Sequence, residues 1–367
     1  MPVSFTLLIG MAPAPPPVMD AVQEIEVEAS TEAASVFRLR LSIAQTEGGD
    51  WTVLQLDPFR PLVPIQVRVQ TGMGVPEAII NGYVTGQNVN YSDEPGRSTL
   101  EVTGMDATLL MNLQERVMLW PNMPDSAIAA AIFGQYAVVP QAQPTSPVLT
   151  EPEGTTTQRG TDIRFLRRLA ARNGFDCYVQ PEPLTGLDTG YFQPPTLVGL
   201  PQAVLSVNMG DQTNVVGFSV KYDMLQPTTA VGSSLDTTTK APQPAIAPAS
   251  LQVPLGMEGT LLRIVPPPVV RPAETGQMRS PELQSAAQGI VDRSTWCVVA
   301  EGNVASGTGV LRPGKIVNVR GAGRVYNGSY YVTRVRHQIS KDDYKQQFQA
   351  RRNAVGMTGA EVYASLF

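Results

Sequence analysis

The feature that most constrains the fold is a regular alternation of apolar and polar residues in short segments. In the segment SVFRLRLSIAQ, the apolar residues Phe37, Leu39 and Leu41 alternate with arginines and other residues. Successive side chains of a β-strand point to opposite faces, so this pattern predicts a strand with one buried face. Similar segments fill residues 1–105 and return from residue 201, separated by Gly, Pro, Asn and Asp turns. Each of these two parts therefore predicts a small barrel or sandwich.

Helical spacing replaces strand alternation in the middle of the chain and once near its end. Asp106 and Ser280 are residue types that cap helix N-termini, and Pro281 suits the first helical position. Thr161 or Asp162 caps a further helix, which Gly174 ends in the left-handed conformation. The predicted helices are residues 106–120, a segment beginning at Asp125 or Ser126, residues 162–173 and residues 280–294.

The order of these segments predicts a β-rich α+β protein. A first strand-rich domain covers residues 1–105, an α/β connecting domain covers 106–200, and a second strand-rich domain covers 201–355, followed by a C-terminal tail at 356–367. Residues 226–275 inside the last domain are rich in Pro and Thr and predict a mobile loop followed by extended chain.

Composition excludes several classes of function. The 367 residues carry a net charge of −5, which argues against a general nucleic-acid binder, because such proteins need a basic excess. One histidine and two distant cysteines leave too few ligands for a zinc site. Cys177 and Cys297 are predicted to be buried free thiols, with a disulfide as the less favoured alternative. No segment has the charged start of a secretory signal or the length of a membrane span.

Four arginines lie within the predicted helix 162–173, and their spacing places them opposite its apolar face. Three interpretations stay open: a solvated helix face, a protein interface, and a site for phosphate or nucleic acid, which the acidic composition disfavours. We take the interface as the working hypothesis. The arginines are Arg164, Arg167, Arg168 and Arg172.

The sequence contains no motif that carries a reaction. Phosphate-loop, HExxH and GxSxG patterns are absent, so we expect no enzyme activity, no cofactor and no metal. Asp342 and Asp343 could be paired carboxylates but fit a charged turn better. His337 lies in an alternating strand and is expected to be partly buried and hydrogen-bonded rather than catalytic. Asn327 and Gly328 predict a tight hairpin turn.

Three separated blocks resemble the baseplate hub family, the late control protein D group of contractile-tailed phages, which is related to the N-terminal part of type VI secretion spike proteins. The middle block matches the pattern D-x-x-F-L-x-x-L-A-x-x-x-G-F through Asp162, Phe165, Leu166, Leu169, Ala170, Gly174 and Phe175. The early block matches through Gly82, Val84, Gly104 and Asp106. The closing block matches through Pro313, Gly314, Gly328, Tyr330 or Tyr331, Val332, His337, Tyr344 and Arg351.

This resemblance implies two tail-tube-like β-barrel domains joined by α/β elements, assembled as a trimeric ring with pseudo-sixfold symmetry. It implies an adaptor between a threefold spike and a sixfold inner tube in a contractile injection apparatus. The expected partners are two further copies of the chain, a separate spike protein, the inner tube protein, baseplate wedge proteins and a tape-measure protein. No small-molecule substrate, membrane insertion or sequence-specific nucleic-acid binding is expected. The expected location is the bacterial cytoplasm during assembly, then the virion or particle baseplate.

Two other functions remain open at this point. A tail-tip or receptor-proximal protein of a non-contractile tail would have a similar fold but would lie at the distal end of the particle. A tail-associated glycan hydrolase would require two carboxylates converging in a cleft.

Overall fold

The computed structural model of the protein describes residues 3–72, 74–94, 96–146, 155–235, 239–272, 280–305, 308–341 and 343–363. The first strands are β1 (Val3–Ile9), β2 (Ala12–Pro13), β3 (Val22–Ser30), β4 (Val36–Ser42), β5 (Pro64–Thr71), β6 (Glu77–Asn90) and β7 (Thr99–Met105). The middle strands are β8 (Glu115–Trp120), β9 (Val139–Ala142), β10 (Thr156–Thr161), β11 (Asp176–Pro181) and β12 (Asp188–Gln193).

The later strands are β13 (Val204–Ser206), β14 (Val215–Tyr222), β15 (Thr229–Leu235), β16 (Pro242–Ala247), β17 (Glu258–Gly259), β18 (Val269–Val270), β19 (Val298–Val304), β20 (Ile316–Arg320), β21 (Gly328–Ser340), β22 (Tyr344–Arg352) and β23 (Ala354–Val355). The α-helices are α1 (Pro16–Ala21), α2 (Asp125–Gln135), α3 (Asp162–Asn173), α4 (Ser280–Ser294) and α5 (Gly323–Tyr326). Short 3₁₀ turns cover Leu54–Leu56, Ala107–Asn112, Gly210–Gln212 and Thr260–Arg263.

One long sheet joins the two strand-rich parts of the chain. Its strand order is β14-β19-β22-β21-β3-β4-β7-β6-β5-β1-β2, with β13 and β20 attached at β21. The junction is the antiparallel pair of β21 and β3, in which His337 lies opposite Val27 and Ile339 opposite Ile25. Among the described residues, no strand pairing closes either part on itself. The predicted β-rich α+β fold is confirmed, whereas the described residues form no closed barrel and the two strand-rich parts are joined in one sheet.

Three large apolar clusters make up most of the core in the described residues. The first lies under β1 and β3–β7, where the alternating Phe37, Leu39 and Leu41 of β4 are buried as predicted, and Ile339 and Tyr344 complete it from the C-terminal part. The second packs α2 and α3 against the small sheet β11-β12-β9. The third fills the space among β19, β20, β21 and β22. The two strand-rich parts thus share core residues as well as backbone hydrogen bonds.

The helix predicted over residues 106–120 is wrong in its second half. Asp106 does cap a helical turn, since its side chain accepts a hydrogen bond from the Thr108 backbone nitrogen at 3.0 Å, but the turn is a short 3₁₀ segment. The chain then forms β8, which pairs with β10 and places Leu119 opposite Thr157. Pairing with a distant strand overrides the local helical spacing of the leucines. The other three predicted helices are confirmed as α2, α3 and α4.

Residues 226–275, predicted as a mobile loop and extended chain, contain a small three-stranded sheet in the part that the structure describes. Strand β15 pairs with β16 and β18, and this sheet packs on α4. Small residues allow the close approach: Ala230 and Ala247 of the sheet meet Ala287 and Val291 of the helix. Low sequence complexity hid the pattern, because alanine and glycine on the inner face give little contrast with the Thr, Ser and Pro outside.

The tight Asn-Gly turn predicted at residues 327–328 is also wrong. The connection from β20 to β21 includes α5, and Asn327 has a φ of −69°, whereas a two-residue turn of that type needs a positive value. Gly328 has a φ of 125°. The fully buried guanidinium of Arg352 donates to the carbonyl oxygens of Asn327 at 2.9 Å and Leu255 at 2.7 Å. Hydrogen bonds from the buried Arg352 side chain therefore hold the connection between β20 and β21 in place.

Two glycines in the early block make room for one aromatic ring. A Cβ on Gly104 would lie 2.3 Å from the Phe37 ring, and a Cβ on Gly82 would lie 2.8 Å from it. Gly82 and Gly104 flank Phe37 on strands β6 and β7, so the ring occupies the volume that two side chains would otherwise fill. The glycines are needed for packing here and not for backbone conformation.

His337 is fully buried and its Nδ1 lies 2.8 Å from the hydroxyl oxygen of Tyr344. The two rings are nearly parallel, with planes 4° apart. Burial lowers the pKa of His337 to about 3, with a smaller contribution from the positive charge of Arg312. The expected hydrogen bond is present, and burial is complete rather than partial. The imidazole is therefore neutral at physiological pH.

Replacing Gly104 with alanine should destabilise the protein by about 2 kcal/mol, because the new methyl group overlaps the Phe37 ring in a packed core. Urea unfolding of the two proteins measures the difference. Gly134→Ala is the matched control: Gly134 lies in α2, nothing approaches its added Cβ within 4 Å, and alanine favours a helix. Equal stabilities of G104A and wild type would contradict the packing argument.

His337 should make the protein less stable as the pH falls. Its folded pKa of about 3 lies below the unfolded value near 6.5, so its contribution is complete above pH 6.5 and is lost progressively below it. At pH 5 the loss should reach about 2 kcal/mol. The unfolding free energies of wild type and His337→Gln between pH 5 and 7.5 measure this loss of stability. Buried Asp176 and Asp188, whose pKa values burial raises, act in the opposite direction in both proteins, so the difference between the two profiles isolates the histidine. If the unfolding free energies of wild type and His337→Gln changed in parallel with pH, the pH dependence assigned to His337 would be wrong.

Candidate functional site

The face of the long sheet that points away from its core carries rows of acidic and basic side chains. We call this set the charge ladder: Glu24, Glu26 and Glu28 on β3, Arg38 and Arg40 on β4, Glu101 on β7, Arg334 and Arg336 on β21, and Glu301 on β19. They share one face because they lie at alternate positions of strands that pair in register. The sign of the charge changes from β7 to β4, from β4 to β3 and from β3 to β21.

Ion pairs join the rows of the charge ladder. The Nε of Arg336 lies 2.8 Å from Oε1 of Glu26, and the Nε of Arg334 lies 3.4 Å from Oε1 of Glu28. On the next pair of rows, Arg38 lies 3.5 Å from Glu101. These side chains are partly exposed, so each pair contributes only up to about 1 kcal/mol. Their effect is instead to keep the face hydrated and close to neutral over both strand-rich parts of the chain.

This face contains two adjoining depressions. One depression of about 260 Å³ lies over β3, β4 and β7 and is bordered by Phe37 and Gly104, and a second of about 210 Å³ lies over β21 and β22. Both include Glu28, so they meet at the β3–β21 junction. Irregular pairing at Val84/Gly86 and at Val332/Arg334 bends the strands beside them. The two depressions therefore adjoin at Glu28 and are bordered by paired charges.

The four arginines of α3 do not form one exposed row. Arg164 and Arg168 face solvent, whereas Arg167 and Arg172 are half-buried. Arg172 forms ion pairs with Asp125 of α2 and with Glu282 of α4, the latter at 3.0 Å. Helix α3 is packed between α2 and α4, so more of its circumference is buried than a two-faced helix predicts. Arg164 and Arg168 are thus the two arginines that remain exposed, and Arg168 donates a hydrogen bond to the Thr157 carbonyl oxygen at 3.3 Å.

Asp162, the first residue of the family pattern, holds the start of α3 in place. It is buried and accepts hydrogen bonds from the Tyr136 hydroxyl at 2.6 Å and from the Gln158 side-chain nitrogen at 2.5 Å. Trp120 donates to the same Gln158 at 3.0 Å, and Arg116 lies 3.4 Å from Asp162. A carboxylate at a helix N-terminus is also favoured by the helix dipole. Asp162 is therefore structural.

The other residues of the middle block are packing residues. Phe165, Leu166 and Leu169 are buried in the second core cluster. Gly174 ends α3 with a φ of 69°, and a Cβ there would lie 3.3 Å from Gly289 of α4, so the two helices cross where both lack side chains. Phe175 packs edge-on against Phe192 with ring centroids 5.5 Å apart. The set shapes the α/β region and presents no reactive group.

The closing block contacts the α/β region directly. A Cβ on Gly314 would lie 2.3 Å from the Tyr178 hydroxyl oxygen, so glycine is required where this loop crosses β11. Tyr331 donates a hydrogen bond to Asp176 at 2.6 Å, and burial raises the pKa of Asp176 to about 6. A cavity of about 170 Å³ lies beside this pair. Gly314, Tyr331, His337 and Tyr344 thus have packing or hydrogen-bonding roles.

Sequence reasoning missed two important groups. One is the charge ladder, although QEIEVEAS on β3 and TRVRHQ on β21 each place like charges two residues apart, which is a readable signal. The other is the buried arginines: Arg352, and Arg312, which donates to the Ala78 carbonyl at 2.9 Å and to Glu77 at 2.8 Å. Nothing local distinguishes these from surface arginines, because their partners are groups that lie far away in the sequence.

Asp342 lies outside the described residues, and Asp343 forms an ion pair with Lys345 at 2.8 Å. Cys177 and Cys297 are free and buried, as predicted, and burial raises the pKa of Cys177 to about 12. Within the described ranges, no group of three His, Cys, Asp or Glu residues is arranged to hold a metal ion. None of the helices in the described part is both long and apolar enough to cross a membrane.

Comparison with solved structures shows the fold of tail proteins. A tail protein from Neisseria meningitidis MC58 matches with a TM-score of 0.64 at 13% identity, over 96% of this chain and 97% of that chain. The 43 kDa tail protein of prophage MuSo2 from Shewanella oneidensis matches with a TM-score of 0.63 at 13% identity, over 95% and 98%. An E. coli component of the type VI secretion system, with structural similarity to the T4 tail proteins gp27 and gp5, matches with a TM-score of 0.57 at 14% identity, over 94% and 76%.

The sequence resemblance is thereby confirmed at the level of the fold, and membership of the hub group itself stays a prediction. No curated protein sequence matches the chain significantly. A family model described as the Alg8 N-terminal domain matches residues 3–341. Because that match spans most of the chain, the protein belongs to the Alg8 N-terminal domain family.

Proposed function

We propose that the chain is a structural hub protein of a contractile injection apparatus. Three copies form a ring that joins a threefold spike to the sixfold inner tube. The observation that carries this proposal is the charge ladder, a single polar face that crosses both strand-rich parts of the chain. A ring of such faces gives a hydrated channel. The proposal assigns no reaction to the chain.

The free edges of the long sheet support a ring. Within the described residues, β14 pairs along one side only, with β19, and β6 from residue 85 onward pairs only with β7. Unpaired backbone at a sheet edge is normally protected or joined to another strand. Joining β14 of one copy to β6 of the next would continue the charge-ladder face around a threefold axis. Such a head-to-tail contact closes when the rotation divides a full turn.

The proposed partners follow from the same arrangement. A separate spike protein would contact one end of the ring and the inner tube protein the other, with wedge proteins outside and a tape-measure protein in the channel. The similarity to a component of the type VI secretion system and to prophage tail proteins supports assembly with such parts. The chain would be assembled in the bacterial cytoplasm and then carried in the particle.

Light scattering and negative-stain averaging of the purified chain test the ring. We expect the mass of three copies and a central channel. Adding the spike protein should leave the ring intact and attach to one end of it. A chain that forms no ring, either alone or with the spike protein, would overturn the hub function.

Arg168→Glu should lower the stability of the isolated chain by at most about 1 kcal/mol, because the exposed Arg168 gives up a hydrogen bond to the Thr157 carbonyl oxygen and its contact with the Phe165 ring. It should reduce incorporation into particles more strongly. Arg172→Glu is the contrasting variant: it should lower the free energy of unfolding by about 2 to 3 kcal/mol, since Asp125 and Glu282 would then face a third carboxylate. Urea unfolding measures the first quantity and particle yield the second. A normal particle yield with R168E would contradict the hypothesis that the arginines of α3 form a protein interface.

A further inference from the structure

Strands β8 and β10 form a two-stranded ribbon that pairs with no third strand in the described residues. The inner face of this ribbon is anchored. Trp120 and Met118 pack in the second core cluster, and Trp120 donates a hydrogen bond to the buried Gln158 at 3.0 Å. A two-stranded ribbon alone is marginally stable in water, so this packing holds it in shape. The ribbon therefore presents its outer face and its edges from a rigid base.

The outer face of the ribbon is apolar along most of β8. Val117 is 82% exposed and Leu119 63% exposed, and their side chains share this face because they lie at alternate positions. The exposed Glu115 continues the same row. On β10, the residues directly opposite the two apolar ones are Arg159 and Thr157. Exposed valine and leucine on a strand at a sheet edge are a feature that natural sheets normally cover.

The open edge of the ribbon belongs to β8. Within the described part of the chain, the backbone hydrogen bonds of β8 join it to β10 alone. Beyond β10, the guanidinium of Arg168 approaches from α3 and donates to the Thr157 carbonyl oxygen at 3.3 Å. At the edge of β16, by contrast, the Gln284 side chain accepts from the Ile246 backbone nitrogen at 3.0 Å and donates to its carbonyl oxygen at 2.9 Å. The alternate N–H and C=O groups of β8 have no such cover in the described residues and are available to another strand.

Three exposed arginines border the outer face and form no ion pair among the residues that the structure describes: Arg159 on β10, and Arg164 and Arg168 one turn apart on α3. Exposed arginines elsewhere do have such partners, since Arg38 and Arg334 each lie within 3.5 Å of a glutamate. The whole chain carries a net charge of −5, so this positive cluster is a local feature. It favours a partner that brings carboxylates to the ribbon.

We propose that β8 takes an extended segment of another protein as a third strand of the ribbon. The outward side chains of that segment are apolar beside Leu119 and acidic beside Val117, where Arg159 reaches across from β10. The added strand lies about 10 Å from β10, a span that an extended arginine and a glutamate cover together. Main-chain hydrogen bonds supply the affinity of such a strand, and its alternate side chains supply the specificity. This contact goes beyond the hub function, because neither the ring nor the channel requires it.

A synthetic peptide tests the proposed chemistry. The probe has Val, Glu and Leu at alternate positions with threonine between them, and a second peptide has lysine in place of the glutamate. We expect the glutamate peptide to slow amide hydrogen exchange in residues 115–120, measured by mass spectrometry, because its backbone occupies the open edge of β8. The lysine peptide should bind about tenfold more weakly, since its ammonium group meets arginine instead of a carboxylate meeting it.

Arg159→Glu should reverse the preference between the two peptides. It should bind the glutamate peptide about tenfold more weakly than the wild type does, with an unchanged circular dichroism spectrum, because Arg159 is exposed. Arg324→Glu is the matched control: it makes the same change of charge at an exposed arginine of α5 and should bind like the wild type. Val117→Thr with Leu119→Thr preserves β-propensity but removes apolar contact, so this variant should also bind the glutamate peptide more weakly.

Three results would overturn strand addition. Peptide binding that leaves hydrogen exchange in residues 115–120 unchanged would show a contact through charge alone. Slow exchange of these amides without any peptide would mean that the chain itself already occupies the edge. A single-stranded oligonucleotide that binds more tightly than the glutamate peptide, and loses this affinity in R159E, would reassign the arginines to phosphate. None of these results bears on the ring, which is tested separately by its mass and its channel.

Discussion

The pairing of β21 with β3 is the constraint on which the rest of the structure depends. It joins the N-terminal and C-terminal strands into one sheet, and it brings Ile339 and Tyr344 into the core of the first part. It also aligns the rows of the charge ladder, because Arg336 meets Glu26 only in this register. A shift of one residue would turn every side chain of β21 to the opposite face. The buried His337 opposite Val27 makes that shift costly.

The α/β region acts as a rigid support for this sheet. Asp106 accepts a hydrogen bond from the Ser35 backbone nitrogen at 2.6 Å, which ties the end of β7 to the start of β4. At the other side, Gly314 passes over Tyr178, and Tyr331 bonds to Asp176. The family-pattern residues are therefore concentrated where separate parts of the chain meet. These residues allow close approach of the backbone and form buried hydrogen bonds between the parts that they join.

Sequence alone predicted the elements with strong local patterns and missed those set by distant contacts. The alternation around Phe37 and the capped helix ending at Gly174 were readable, because the residues that decide them are neighbours in sequence. The strand β8 was not, since its partner β10 begins some 36 positions later. Among candidate site residues, the apolar members of the α3 pattern were placed well, but the inward turn of Arg172 depends on Asp125 and Glu282. The alternating charges of the charge ladder can be read in the sequence of each strand, but which strands lie side by side, and therefore which charges pair, depends on the register of the sheet.

The β3–β21 pair has a consequence for biosynthesis, because its strands are roughly 300 residues apart along the chain and such distant contacts form late in folding. Until β21 has been synthesised, β3 presents an open edge beside β4, with hydrogen-bonding groups that β21 later occupies. A truncated product keeps that edge open and lacks the arginine rows of β21. The surface proposed to line the channel is therefore complete only after β21 has paired with β3.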